Sequence, residues 1–217
     1  MAASERYVPA AGRRAFTRLY DPVVALTMRE ATFRGRLAEQ VLDGLPRGAP
    51  IVDVGCGTGT LAIALAARGA EVVAVDGDPE VLSLARAKAG AEAVQWRKGT
   101  ATALALPGTS ADRVVMSLLL HHLDADAKRA ALAEAVRVLR PGGRLHVADW
   151  GRPRDPLMRG AAWALQRLDG AQGLREHLEG RLPGLLADAG LSAVALHARL
   201  RTGWGSLELL SALRPAS

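Results

Sequence analysis

A single cysteine in 217 residues, Cys56, leaves no partner for an intrachain disulfide and no thiolate cluster for a metal. Aromatic residues make up only 4% of the chain. Basic residues come in pairs at most, as at Arg13-Arg14 and Arg97-Lys98. A protein built for nucleic acid carries a basic stripe, with aromatics where single strands stack. Nucleic acid is therefore not expected as the primary partner. The formal net charge is +6, but charges balance over residues 51–150 and the excess is spread thinly over both ends. No apolar run reaches membrane-spanning length, and no apolar stretch follows a basic start. A cytoplasmic protein with no membrane span is expected, a monomer or a homodimer.

What the chain does have is apolar residues, 49% of the total, and 23 glycines. That suffices for one α/β domain with a full core. The pattern centres on Ile51-Val52-Asp53-Val54-Gly55-Cys56-Gly57-Thr58-Gly59. A short apolar run breaks into alternating glycines and is followed at once by a helical run from Leu61 to Arg68. Strand, tight turn, helix is the order of a nucleotide pocket, with glycines letting a ligand approach the main chain. About twenty residues on, the apolar run Glu71 to Val75 ends in Asp76.

Residues 1–15 read as a mobile arm, and Pro22 to Leu42 as one or two helices broken near Gly35. From 51 to 149, strands (51–54, 71–75, 93–97, 112–119, 144–148) alternate with helices (59–68, one capped by Asp78-Pro79, and 126–139). Alternation of this kind predicts a mostly parallel sheet with helices on both faces. Beyond Trp150 the pattern changes. A helix is expected at 157–168, then a Gly-rich break and a helix at 175–189 with a step at Leu182-Pro183. Two alternating runs joined by Leu200-Arg201-Thr202-Gly203 predict an antiparallel hairpin at the sheet edge. The whole, 1–217, reads as a single domain: a helical extension (1–48), a cofactor-binding core (49–150), and acceptor-side helices with the hairpin (151–217).

The dinucleotide fingerprint requires a small residue at the sixth position from Gly55. Thr60 stands there, one place after Gly59. Asp53, just before the turn, would repel a pyrophosphate and attract an ammonium or a sulfonium. A cofactor with an amine, a sulfonium and an adenosine ribose is S-adenosyl-L-methionine. Val52 to Gly59, Val75-Asp76, Leu120-His121-His122-Leu123 and Val138 to Gly143 together resemble the ordered motifs of class I SAM-dependent methyltransferases. The closest likeness is to the group around the ubiquinone/menaquinone C-methyltransferases.

The resemblance implies a Rossmann-like, seven-stranded, mostly parallel sheet. It places Gly55, Cys56, Gly57 and Gly59 in the turn under the methionyl and ribose portions, with Asp53 near the methionine amine. It gives Asp76 the ribose hydroxyls and Gly77 the adenine, and adds Ser117, in the fourth strand, to the cofactor side. The family's usual Gly-Asp-Ala step is here Gly99-Thr100-Ala101, so a Thr100 hydroxyl or a backbone group has to replace the acidic adenine contact. Leu19-Tyr20-Asp21 resembles a Tyr-Asp step that closes over the methyl group.

Methyl transfer needs alignment and exclusion of water more than a nucleophile or metal, though an acceptor can also need a base. His121 and His122, at the ligand-binding edge of the sheet, are the candidates for that role beside Tyr20; capping the next helix near Asp124 is the alternative for the histidines. Cys56 reads also as a small packing residue, His146 as buried, and His177 and His197 as surface residues. Asp149 and Trp150 either face the acceptor or cap the next segment. Helix 157–168 either roofs a pocket for a hydrophobic small-molecule acceptor or simply packs on the sheet. Two other functions stay open beside the methyltransferase: a nucleotide-dependent oxidoreductase of NAD type, and a SAM-binding regulatory subunit without turnover.

Overall fold

The computed structural model describes residues 30–169 and 171–216. The expected N-terminal arm and Tyr20 lie outside them. The described chain runs α1 (Glu30–Leu42), β1 (Pro50–Val54), α2 (Thr60–Ala66), β2 (Glu71–Asp76), α3 (Pro79–Arg86), β3 (Val94–Lys98), β4 (Ala111–Ser117) and α4 (Ala125–Val138). It continues through β5 (Leu139–Trp150), α5 (Pro156–Asp169), α6 (Ala171–Leu178), α7 (Leu182–Asp188), β6 (Ser192–Thr202) and β7 (Gly205–Leu213).

The strands form a seven-stranded sheet in the order β3-β2-β1-β4-β5-β7-β6. The first five are parallel, and β7 runs antiparallel between β5 and β6. The Rossmann-like, mostly parallel sheet and its C-terminal antiparallel hairpin are as expected. Strand order reverses between β1 and β4, so a crevice opens beyond their carboxyl ends, where open α/β sheets bind ligands.

Strand alternation sorts side chains onto two cores. Val52, Val54, Val114 and Met116 face one way, against Leu132 of α4 and Leu182 and Leu186 of α7. Ile51, Val72, Ala74 and Val115 face the other, against Phe33 and Leu37 of α1, Leu61 and Leu65 of α2, and Leu174 of α6. Asp53 shares the phase of Ile51, which turns its carboxylate toward the side covered by α1 and α2.

Several boundaries differ from expectation. α1 runs through Gly35 without a break, because Phe33, Leu37, Ala38 and Val41 are all buried on one face. β5 begins at Leu139 and carries Pro141-Gly142-Gly143 within it. The antiparallel bonds between Gly142 and Arg214, and between Arg214 and Gly143, hold that stretch in place of the expected turn. The helix expected at 175–189 is two helices, α6 and α7, with Pro183 in the first turn of the second. α6 starts earlier and includes Gly173 from the expected glycine break.

Phe33 is fully buried between α1, α2 and the sheet. Phe33→Ala is expected to cost about 3–5 kcal/mol, read as a lowered denaturation midpoint with an unchanged slope in urea. A loss below 1 kcal/mol would show that α1 is not part of the core.

Candidate active site

The glycine turn hangs from the end of β2. The backbone N–H groups of Gly55 and Cys56 donate to Val75 O at 2.8 and 3.1 Å, and Gly57 N–H donates to Asp76 Oδ2 at 2.8 Å. Asp76 Oδ1 accepts from Asp78 N–H at 2.9 Å. Burial pushes the Asp76 carboxyl above its usual value, and the amides of Asp78 and Gly57 pull it back. Each oxygen keeps a lone pair for a further donor, as two hydroxyls of a ribose would require.

Gly57 has φ of 55°, the left-handed region, and a Cβ there would meet nothing within 4 Å. Its conformation demands glycine and the space above it is open. Gly59, also left-handed, is needed for packing instead: a Cβ would strike the Trp96 indole. That ring is held by its N–H to Ala91 O at 2.9 Å. Cys56 is half-buried against the α1–α2 core, where burial pushes its thiol up, so its part is packing. On the outer side, Lys88 Nζ donates to Thr58 Oγ1 and Thr60 Oγ1, both at 2.9 Å, and braces the turn against α3.

Asp53 is 1% exposed. Neither of its carboxylate oxygens has a hydrogen-bond partner among the described residues. Burial pushes its carboxyl up to about 7, the Arg34 guanidinium offsets part of that rise, and Asp76 adds to it. A buried carboxylate without donors is costly, and it suits a cationic ligand group such as an ammonium. The residues at this edge therefore fit the expected cofactor on three counts: the donorless carboxylate, the open glycine, and the spare acceptors of Asp76.

The other cofactor-side candidates are less engaged. Thr100 is exposed, with its hydroxyl 3.2 Å from that of Thr102. Ala101 packs on the core, Gly77 is half-buried, and Ser117 ends β4 opposite Ala148.

Beyond Ser117 the chain turns sharply. Leu118 has φ of 54°, a conformation disfavoured for a branched side chain. It sends Leu118 to the α1–α2 core and Leu119 to the opposite one. Leu119 reaches the glycine turn, where a Cβ on Gly55 would sit 2.7 Å from its Cδ1. A 3-10 turn at Leu120–His122 follows. Helix capping is left to Asp124, which accepts from Ala127 N–H at 2.9 Å.

His121 is buried, with Nδ1 2.7 Å from Asp149 Oδ1. Asp149, at the end of β5, is fully buried and also accepts from Leu120 N–H at 2.9 Å and Trp150 N–H at 2.7 Å. Burial alone would raise its carboxyl, but His121 and His177, with the Trp150 N–H, hold it well below the usual carboxylate range. His177, expected at the surface, is fully buried instead. It lies at helical spacing from Leu174 on the inner face of α6, its Nδ1 3.2 Å from Trp150 O and 3.7 Å from Asp149 Oδ1. Burial lowers its pKa.

Sequence reasoning also missed Lys128. It takes a core position in α4, in phase with Ala131, Leu132 and Ala135, and its ammonium binds Gly173 O and Glu176 Oε2. A lysine in the apolar phase of a helix was the available signal. Of the remaining histidines, His146 is buried as expected, and His197 is exposed as expected. α5 buries Met158 and Ala162 but leaves Leu157 70% and Trp163 57% exposed. A cavity of about 330 Å³ between α5 and α6 is lined by Ala162 and Trp163 together with the charged Arg159, Arg175 and Glu179.

Residues 51–143 match the sequence family described as "Methyltransferase domain". No curated protein matches the chain in sequence. Among solved structures it is similar to a SAM-dependent methyltransferase from Methanosarcina mazei, with 22% identity over 80% of this chain and 95% of that one, at a TM-score of 0.64. It is similar also to a SAM-dependent methyltransferase from Thermotoga maritima described as a possible histamine N-methyltransferase, with 22% identity over 92% and 97% and a TM-score of 0.66. A third likeness is to phosphoethanolamine N-methyltransferase 2 of Haemonchus contortus, determined with S-adenosylhomocysteine. There the identity is 14% over 85% of this chain and 52% of that one, with a TM-score of 0.66. The fold is the class I, Rossmann-like methyltransferase fold.

The Asp53 carboxyl yields a stability prediction. Its folded value lies above the unfolded one, so its contribution is present at low pH and lost as pH rises from about 4 through about 7. Asp53→Asn should therefore stabilise the ligand-free protein at pH 8 by about 4 kcal/mol, with the gain largely gone near pH 4. Guanidinium unfolding at the two pH values measures it; destabilisation at pH 8 would mean that Asp53 has a partner in the folded state.

Proposed function

We propose that this chain, whose residues 51–143 match the methyltransferase-domain family, is an S-adenosyl-L-methionine-dependent methyltransferase acting on a small molecule. The observation that carries the reading is the buried Asp53 carboxylate, without a donor among the described residues, together with the open left-handed Gly57 of the turn that follows it. In this reading Asp53 faces the cofactor's ammonium, Asp76 takes the ribose hydroxyls, and Gly55, Gly57 and Gly59 form the floor. Thr100 and Ala101 lie toward the adenine with Gly77, and Ser117 closes the site from β4. The cofactor supplies an electrophilic methyl group on a sulfonium, and the protein's task is alignment and exclusion of water. Residues 49–150 form the cofactor core, and 151–217 the acceptor side, with His121, His122 and Tyr20 at the methyl site.

The proposal specifies a small molecule without fixing its polarity. The apolar roof expected from α5 has Leu157 and Trp163 turned outward, and the adjoining cavity mixes apolar with charged lining. A pyrophosphate-bearing dinucleotide fits less well, since it would meet the Asp53 carboxylate without a counter-charge of its own.

Calorimetry with S-adenosyl-L-methionine tests the cofactor. Binding should be lost or weakened at least about a hundredfold in Asp76→Ala, as two charge-assisted hydrogen bonds disappear. Wild-type affinity should fall roughly tenfold from pH 7.5 to pH 6, because the Asp53 carboxyl must give up its proton to receive an ammonium. Binding of NAD with no binding of S-adenosyl-L-methionine would overturn the proposal. Transfer of labelled methyl to a small molecule in a cell extract, followed by identification of the product, tests turnover.

A further inference from the structure

The carboxylate of Asp149 is the most heavily bonded acidic group at the ligand-binding edge, and the cofactor reading leaves it without a part. It lies at the end of β5 with no exposure. One oxygen takes Leu120 N–H, and the other takes Trp150 N–H and stands 2.7 Å from His121 Nδ1. Asp149 thus holds both the main chain of the turn and the ring that the turn presents. An ionised carboxylate only accepts hydrogen bonds, so the facing ring nitrogen has to be the donor. His121 is consequently protonated on Nδ1 when neutral, and Nε2 carries its basic lone pair.

The surroundings make this arrangement rigid. α6 sits directly on the turn: a Cβ on Gly173 would fall 2.7 Å from Leu123 O and closer still to His121 O. Lys128 ties that helix down through Gly173 O and Glu176. His177, from the same helix, donates its Nδ1–H to Trp150 O and lies 3.7 Å from Asp149. The ring of His122 stands 3.9 Å from that of His121, centroid to centroid, and the Trp150 ring lies edge-on at 6.2 Å. Among the described residues, the ionisable groups around His121 include Asp149, His177, His122 and the Lys128–Glu176 pair. Of these, Asp149 is the anion in contact with the ring, at Nδ1.

Resting on the methyltransferase reading, we propose that Asp149 is a positioning residue that fixes His121 with Nδ1 protonated, making Nε2 the base that takes the acceptor's proton. The acceptor is then a molecule that methylates on an O–H or N–H group. Its heteroatom yields the proton to Nε2 as its electron pair takes the methyl carbon. The carbon–sulfur bonding pair stays with sulfur, so the products are the methylated acceptor, S-adenosylhomocysteine and an imidazolium facing the Asp149 carboxylate. The proton then leaves His121 for solvent. A carboxylate behind a histidine works in this way in other acyl- and group-transfer sites, where it sets the tautomer and steadies the imidazolium.

The test is nitrogen NMR of the imidazole-labelled full chain at pH 8, with His121→Asn identifying the resonances. In the wild type, His121 should show a pyrrole-type Nδ1 and a pyridine-type Nε2. In Asp149→Asn the neutral ring should shift to a mixed or Nε2–H form, and labelled-methyl transfer to the extract should fall at least about a hundredfold. Binding of S-adenosyl-L-methionine should stay within about threefold of wild type, since no cofactor contact is removed. An Nε2–H tautomer in the wild type overturns the proposal whether or not the variant folds, and so does an unchanged tautomer in Asp149→Asn. Failure of the wild type to bind S-adenosyl-L-methionine sinks the methyltransferase reading instead, and leaves the tautomer result to stand by itself.

Discussion

A buried carboxylate that finds no hydrogen-bond donor among the described residues is the constraint from which the rest of the site follows. Asp53 lies in the phase of β1 that turns toward α1 and α2, on the face where Ile51 and Leu61 form a core. Placing a charge there costs several kcal/mol unless something compensates it, and the described residues give it no donor. Burial instead drives the carboxyl toward its neutral form, with the guanidinium of Arg34 opposing. The arrangement makes sense if the missing partner arrives from solution as a cation. The left-handed Gly57 in the turn that follows leaves open space for that partner.

The two acidic strand ends solve opposite electrostatic problems. Among the described residues Asp53 has no donor, and its pKa is raised; Asp149 has several, and its pKa is lowered. Both lie within the same parallel sheet at its carboxyl edge, joined by a short path. Leu119, displaced by the left-handed Leu118, packs on Gly55 and then leads into the turn that carries His121. Asp53 and His121 are thereby tied to the same edge of the sheet by the short stretch after Ser117 and its left-handed turn.

Much of this was legible from spacing. The run from Val52 to Gly59 marks strand, turn and helix because the chemistry of a tight turn is local. Asp76 and Asp78-Pro79 are readable for the same reason, and both stand where expected. What was not legible depends on packing between distant segments. His177 looks like a surface residue because α6 is short and polar, and only its seat on β5 and the 120–123 turn buries it. The long β5, running through Pro141-Gly142-Gly143, exists because Arg214 from the chain end supplies antiparallel partners. Lys128 could have been found, since a lysine in the apolar phase of α4 implies a buried counter-charge. Its partner Glu176, forty-eight residues on, could not.

The central claim is that Asp53 is a proton-bearing carboxyl that becomes an anion when it receives the ammonium of S-adenosyl-L-methionine. Calorimetric titration at pH 6 in buffers of different ionisation enthalpy counts the protons exchanged. At that pH a carboxyl of pKa about 7 is almost fully protonated, so binding should release close to one proton, and Asp53→Asn should release none. Binding by the wild type with no proton released would contradict the account.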